Sequence, residues 1–392
     1  GGSTSYLGCY ADELSYTSTS TASIQFNDGV LASNNSIVYT NFWGQAYQLI
    51  YATNSAIAGL KEAPINPGLR TQLLGEAYFM RAFCYNTLAT LFGDVPLVLS
   101  VDNYQNTVQL KRTPITQVFS QILSDLAEAK NRLKPEYPTT GRFRPNYYTA
   151  LAMISRVNTY LGNWSQVYTA SNEIIAQSTY QIEPDLSKVF LIGSNEAIWQ
   201  MSYDQPLTNT YEGSNFIPSA VLTVRPIFAI QSTLFNAFPV NDKRKANWIA
   251  TKTISGIVYP YPYKYKVRSN AAKIEAQMMF RLAEIYLNRA EAKVQLNDDT
   301  AIDDLNKTRN RAGLGSLSGL TGQALLDAIY SERRLELFAE WGLRFLDLRR
   351  TGKLDAINSV LKPNWSSTAK FFPIPYNEML AAPNLVQNPG YN

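Results

Sequence analysis

The stretch Ala152…Tyr160-Leu161-Gly162-Asn163-Trp164…Val167…Ala170 returns in altered form as Leu287…Gln295-Leu296-Asn297-Asp298-Asp299…Ile302…Leu305. Each copy reads as a helix, a tight turn and a second helix, with small or apolar residues kept where helices would pack. Gly and Asn tolerate the left-handed backbone that such a turn requires. Phe92-Gly93-Asp94 ends a third helix in a similar way. Two independent turns with one pattern favour a repeat over a generic helical bundle, because a lone helix pair cannot cover its own apolar face.

Worked outward, the pattern predicts helices over about 41–60 and 69–92, then from Thr113-Pro114 to Leu133, where a threonine N-cap would precede proline at the first helical position. Another follows Arg144-Pro145 to Leu161, and a further one runs from Trp164 to about Ala176. Helices resume at about Gln277, continue over Ala301–Arg309 after the second turn, and end with a long one from Gln323 to about Trp341. Between Tyr180 and about Ala271 the periodicity is lost. Ala197-Ile198-Trp199-Gln200-Met201 alternates like a strand, and Asn, Gly, Pro, Ser and Tyr accumulate around 208–214 and 256–265. The expected architecture is mainly α: about four tetratricopeptide-like helix pairs over 41–177 and 277–342, interrupted by a loop- and short-strand-rich insertion at 180–271. An irregular tail covers 343–392, and the whole of 1–392 forms a single domain.

Composition removes several functional classes. The 392 residues include no histidine, which excludes a Ser-His-Asp triad, an HExxH zinc site and an imidazole base. Two cysteines, Cys9 and Cys84, make neither a disulfide scaffold nor a zinc pair. A net charge of +4 gives no case for nucleic acid, and no window is long and apolar enough for a membrane-spanning helix. Gly1-Gly2-Ser3 reads as a processed start. Tyr6-Leu7-Gly8-Cys9 is superficially like a lipoprotein cleavage box, but tyrosine stands three residues before the cysteine and no apolar run precedes it, so Cys9 is read as an ordinary residue.

Six motifs in order carry a resemblance. They are Trp43…Tyr47…Ile50…Asn54; Gly75-Glu76-Ala77-Tyr78-Phe79-Met80-Arg81 with Leu91-Phe92-Gly93-Asp94-Val95-Pro96; and Phe235…Phe238…Asn241-Asp242-Lys243-Arg244. Next come Ala283-Glu284-Ile285-Tyr286-Leu287-Asn288-Arg289 with Arg309-Asn310-Arg311-Ala312-Gly313; Glu332-Arg333-Arg334-Leu335-Glu336-Leu337 with Glu340, Arg344 and Asp347-Leu348-Arg349-Arg350; and the closing Phe372-Pro373-Ile374-Pro375…Gln387-Asn388-Pro389-Gly390-Tyr391. From about residue 10 onward the chain resembles the SusD/RagB family of outer-membrane nutrient-uptake lipoproteins. The resemblance implies a SusD-like fold and a role in polysaccharide utilisation as a surface-exposed, non-catalytic glycan-binding protein. It also implies delivery to a SusC-like TonB-dependent transporter, no cofactor, and a lipid anchor to the outer membrane not present in this chain.

The motif charges are read structurally: Glu76 and Arg81, Glu284 and Arg289, and Glu340 and Arg344 lie at helices that must pack. A glycan site calls for aromatic faces beside amides, because sugars present C–H faces and hydroxyls. Two places fit, and they match the regions from which the family's glycan contacts come: Asn34, Asn35 and Tyr39 before the first repeat helix, and Asn209, Tyr211, Asn215, Tyr259 and Tyr261 in the insertion. No metal site is expected. The alternatives are a tetratricopeptide-like protein-interaction scaffold, a peptide-binding uptake protein, and a glycosidase, which would need two free acids about 5 to 10 Å apart.

Overall fold

A computed structural model describes residues 2–101 and 109–391. The chain opens with helices Gly2–Tyr10 (α1) and Thr21–Asp28 (α2), separated by strand Leu14–Tyr16 (β1). A π-helical turn, Val38–Trp43, runs directly into Gly44–Glu62 (α3). Then come Pro67–Phe92 (α4), Ile115–Arg132 (α5), Tyr147–Leu161 (α6) and Trp164–Ile175 (α7). The middle contains strands Ala197–Met201 (β2), Phe228–Ile230 (β3), Ile249–Ile254 (β4), Ile257–Pro262 (β5) and Gln277–Arg281 (β6). Short helices Tyr211–Phe216 (α8), Ser232–Phe235 (α9) and Lys243–Trp248 (α10) lie among them. Leu282–Gln295 (α11), Ala301–Arg311 (α12) and Gly322–Glu336 (α13) resume the helical series, and Leu343–Arg350 (α14), Leu354–Leu361 (α15) and Tyr376–Ala381 (α16) complete it.

The repeat is continuous across the insertion. Helices pack in succession, α3 on α4, α4 on α5, α5 on α6 and α6 on α7; α7 then packs on α11, which holds α12 and α13. The two turns that signal the repeat share their geometry. Gly162 has φ 74° and Asn163 N–H donates to Asn158 O; Asn297 has φ 58° and Asp298 N–H donates to Lys293 O. Both are helix ends with a left-handed residue and a six-to-one bond. The Gly93 turn is different: its ψ of −122° sends the chain outward to pair Val95 with Thr113.

Several expectations are corrected. Gln277–Arg281 is a strand, β6, antiparallel to β2 where the chain leaves and re-enters the helical array. The helix expected to reach Trp341 stops at Glu336, because Ala339, Trp341 and Gly342 all take positive φ. The tail carries α14, α15 and α16 rather than remaining irregular. Thr113 is no cap: Pro114 occupies the N-cap position, and the Asp94 carboxylate accepts from Ile115 N–H at 2.8 Å. Within the insertion, expected to hold loops and short strands, the stretch 256–265 contains the second strand of the β4–β5 hairpin, with Ile254 opposite Ile257. The start of the chain is helical; Cys9 in α1 is fully buried and Cys84 in α4 is buried.

Two features bind the parts together. Phe372 packs against the rings of Tyr10, Phe26, Phe42, Phe92 and Phe345, so the C-terminal segment is anchored at the centre of the main core. A buried ionic network ties the insertion to the later helices. Arg244 pairs with Asp242, Glu332 and Glu336, and Arg281 pairs with Glu196, Glu336 and Glu340. Arg311 joins Glu196 and Glu336, and Lys264 joins Glu340. The helix charges singled out above as Glu76 and Arg81, Glu284 and Arg289, and Glu340 and Arg344 do not pair with one another. Glu76 meets Arg144, Arg81 meets Asp125, Glu284 meets Arg156, Arg289 meets Asp304 and Arg344 meets Asp12.

Candidate functional site

The loop after α2 is shaped by two side chains. Gln25 Oε1 accepts from Ala32 N–H and from Asn35 Nδ2, and Asn35 Nδ2 also donates to Ala22 O. Asn35 Oδ1 accepts from Ile37 and Val38 N–H, capping the π-helical turn. Asn35 is therefore buried with its amide committed to the fold, and Asn34, one residue earlier, is turned out to solvent. Tyr39 is 38% exposed, and Gly44 leaves room for its ring: a Cβ added at Gly44 would lie 3.2 Å from Tyr39 Cζ.

The C-terminal segment supplies the opposite wall. Phe372 N–H donates to Leu91 O, and Asn388 Nδ2 donates to both Phe92 O and Phe372 O. Gln387 exchanges two bonds with the Ile374 backbone. Tyr376 N–H then donates to Ser33 O at 2.8 Å, which brings Tyr376 and Asn377 beside the 29–40 loop. Tyr376 is 50% exposed.

Together the two walls form a groove in two compartments. One, of about 160 Å³, lies among Asn34, Tyr39, Thr40, Tyr376 and Asn377. The other, of about 450 Å³, lies among Leu31, Ser33, Asn34, Tyr376, Gly390 and Tyr391. Tyr376 and Asn34 line both. Their combined size lies in the range of small-molecule sites. Among the described residues, no Asp or Glu lines either compartment.

Of the residues singled out in the sequence, Asn34 and Tyr39 lie on exposed faces of this groove, while Asn35 contributes to its lining from a buried position. The insertion residues do not line it. Asn209 is buried, its amide donating to Asn270 O and Ala272 O and accepting from Ile274 and Glu275 N–H. Tyr211 packs on α1 near Tyr6 and Ser5, and burial pushes its phenol up to about 12. Asn215 donates to Tyr211 O, Tyr259 lies under the Arg225 guanidinium, and Tyr261 is buried edge-on to Tyr263. Tyr376, Asn377 and Tyr391 lie outside the sequence expectation. The signal available is the Tyr-Asn pair just after Pro375, the same combination of ring and amide sought elsewhere.

A second cleft, between α4, α6, α11 and α14, has a volume of about 30 Å³, room for about one water. Its arginines are all paired: Arg156 with Glu284, Arg333 with Asp347, and Arg350 with Asp347 and Glu291. Against the upward pull of burial, Arg333 and Arg350 hold Asp347 down at about 2. Such acids stay ionised and cannot serve as proton donors near neutrality. Glu13 is the contrasting case. Burial, with the Asp12 charge adding to it, pushes Glu13 up to about 8, and its Oε1 has no partner. It is enclosed beneath Ala339, whose N–H it accepts at 3.4 Å, and lies away from the groove lining.

Two family models match, one described as the SusD family over residues 231–391 and one as "Starch-binding associating with outer membrane" over 4–161. The chain belongs to the SusD family. It is 26% identical over 430 residues to SusD-like protein P2 of Formosa agariphila, covering 94% of this chain and 83% of that protein. Its fold is similar to a SusD superfamily protein from Bacteroides vulgatus, with a TM-score of 0.89 at 21% identity over 100% of this chain and 93% of that one. A laminarin-binding SusD-like protein is also similar, with a TM-score of 0.84 at 21% identity over 99% and 94% of the two chains. The tetratricopeptide-like helical repeat with its loop-rich insertion is thus the SusD fold. The remaining question for this SusD-family chain is what its groove holds.

Proposed function

We propose that this protein captures an oligosaccharide at the cell surface without transforming it and passes it to a SusC-like TonB-dependent transporter, the chain being held to the outer membrane by a lipid anchor. The observation that carries the reading is the groove itself: Tyr39 and Tyr376 present exposed rings beside Asn34 and Asn377, the combination that sugar faces and hydroxyls require. Among the described residues, the carboxylate pair of a glycosidase is absent from its lining. The outer-membrane description of the matching family model and the laminarin binding of a structural neighbour support the same reading.

A glycan array followed by isothermal titration tests it. Saturable binding of at least one oligosaccharide is expected, weakened by Tyr376→Ala, with the ligand recovered intact by mass spectrometry. Cleaved ligand, or a bound peptide and no bound glycan, would replace this reading with a glycosidase or a peptide-uptake protein.

A further inference from the structure

We infer that the groove selects uncharged saccharides over acidic ones and holds two adjacent sugar units, one in each of the two compartments that Tyr376 lines; the inference rests on the groove being the glycan site.

The first observation is charge depletion on both walls. From Gly29 to Leu60 there is no Asp, Glu, Lys or Arg, in a chain where these make up 17% of residues. From Phe371 to the end the sole charged residue is Glu378. Burial does not explain this, since Asn34, Ser36, Tyr39, Thr40, Tyr376 and Asn377 are all exposed, and exposed loops ordinarily carry charges. Among the described residues, neither compartment has a charged side chain in its lining.

Uronate carboxylates and sulfate esters are held by guanidinium or ammonium groups, which replace the water the anion gives up. Here an anion would meet amides and hydroxyls alone. Arg112, the cation bonded to the adjoining 386–388 segment, spends its donors on Asp94 O, Phe92 O, Val386 O and Asn388 Oδ1. Glu378, outside both linings, has the same sign as an acidic ligand. The uncompensated loss of hydration disfavours acidic sugars, whereas a neutral sugar loses hydroxyl hydration that the exposed amides of Asn34 and Asn377 can replace.

The second observation is the partition. The two compartments share Ser33, Asn34 and Tyr376, with Tyr39 in one and Tyr391 in the other. Tyr376 borders both compartments, so a sugar unit in either one meets it, and Asn34 borders both as well.

The test is isothermal titration of the whole chain with neutral hexasaccharides (laminarihexaose, maltohexaose, cellohexaose and mannohexaose) and with hexagalacturonate and a sulfated carrageenan hexasaccharide. At least one neutral ligand should bind, with Kd changing less than about twofold between about 50 and about 500 mM NaCl. Tyr376→Ala should weaken it about tenfold or more, and Tyr39→Ala by a smaller factor. Asn377→Arg should confer measurable hexagalacturonate binding that salt abolishes. Acidic ligands binding the unaltered protein as tightly as neutral ones, with sensitivity to Tyr376→Ala, would overturn the charge selection and leave the groove as the glycan site. Tyr39→Ala without effect where Tyr376→Ala abolishes binding would overturn the two-unit arrangement. Binding of no saccharide, or binding indifferent to both tyrosine changes, would remove the groove reading and this inference with it.

Discussion

Asn34 and Asn35 are adjacent and identical in type, and they do opposite things. Asn35 closes four hydrogen bonds within the fold, and Asn34 faces the groove. Asn35→Ala should therefore lower stability by about 1–2 kcal/mol in urea unfolding, since it removes a cap and leaves buried donors without partners. Asn34→Ala should leave the unfolding midpoint unchanged and weaken glycan binding alone. The sequence shows two asparagines in a promising place but cannot rank them, because the ranking is made by Gln25 on a helix, α2, that no strong periodicity announces. Asn209 escapes the sequence for a similar reason: its polar environment is built by residues 270–275, some sixty positions away. At the same scale, Glu13 sets a pH dependence. Its folded value of about 8 lies above its unfolded one, so the native state holds a proton that the unfolded chain releases. That contribution is complete below the unfolded carboxylate range and is lost as pH rises toward and through 8. Glu13→Gln should accordingly gain melting temperature relative to the unaltered protein at pH 8.5 compared with pH 5, measured by differential scanning calorimetry.

At the level of elements, local turn chemistry is legible and pairing is not. The Gly162 and Asn297 turns can be read because a left-handed residue is a property of one position. Gly162→Ala should cost about 1 kcal/mol in thermal or chemical unfolding, while Asn297→Gly should be neutral or gain a few tenths. Gln277-Met278-Met279-Phe280-Arg281 has no such local signature. A short apolar run suits a helix or a buried strand equally, and only β2 opposite it decides. The premature end of α13 is also a tertiary matter. Leu7 of α1 lies where a Cβ on Gly342 would sit, and Glu336 and Glu340 both converge on Arg281, so the backbone between them leaves helical geometry to serve the network. The uncharged run from Gly29 into α3 is visible in the sequence, but it acquires meaning only when its beginning is found opposite a tail whose sole charge is Glu378.

For the molecule as a whole, the ionic network makes the insertion and the repeats one cooperative body. Arg281 stands on β6 at the point of re-entry and reaches Glu196, Glu336 and Glu340 from different parts of the chain. Arg281→Leu leaves three buried carboxylates short of a partner and should cost about 3–5 kcal/mol, read as a fall in the denaturation midpoint. Unfolding followed by tryptophan fluorescence, which reports six tryptophans with Trp199 and Trp248 of the insertion among them, should coincide with unfolding followed by far-ultraviolet circular dichroism, which reports the helices. The overall fold is legible because order of motifs is a one-dimensional property, and the site is half legible because its second wall lies more than 330 residues from the first. That separation has a consequence for how the protein becomes functional. The groove joins residues 31–40 to residues 375–391, so a chain that lacks the second segment has no groove. Ligand bound there would act as a clasp on a ring, slowing release of the tail. Competence to bind there thus reports that the segment after Phe371 has docked on the 29–40 loop.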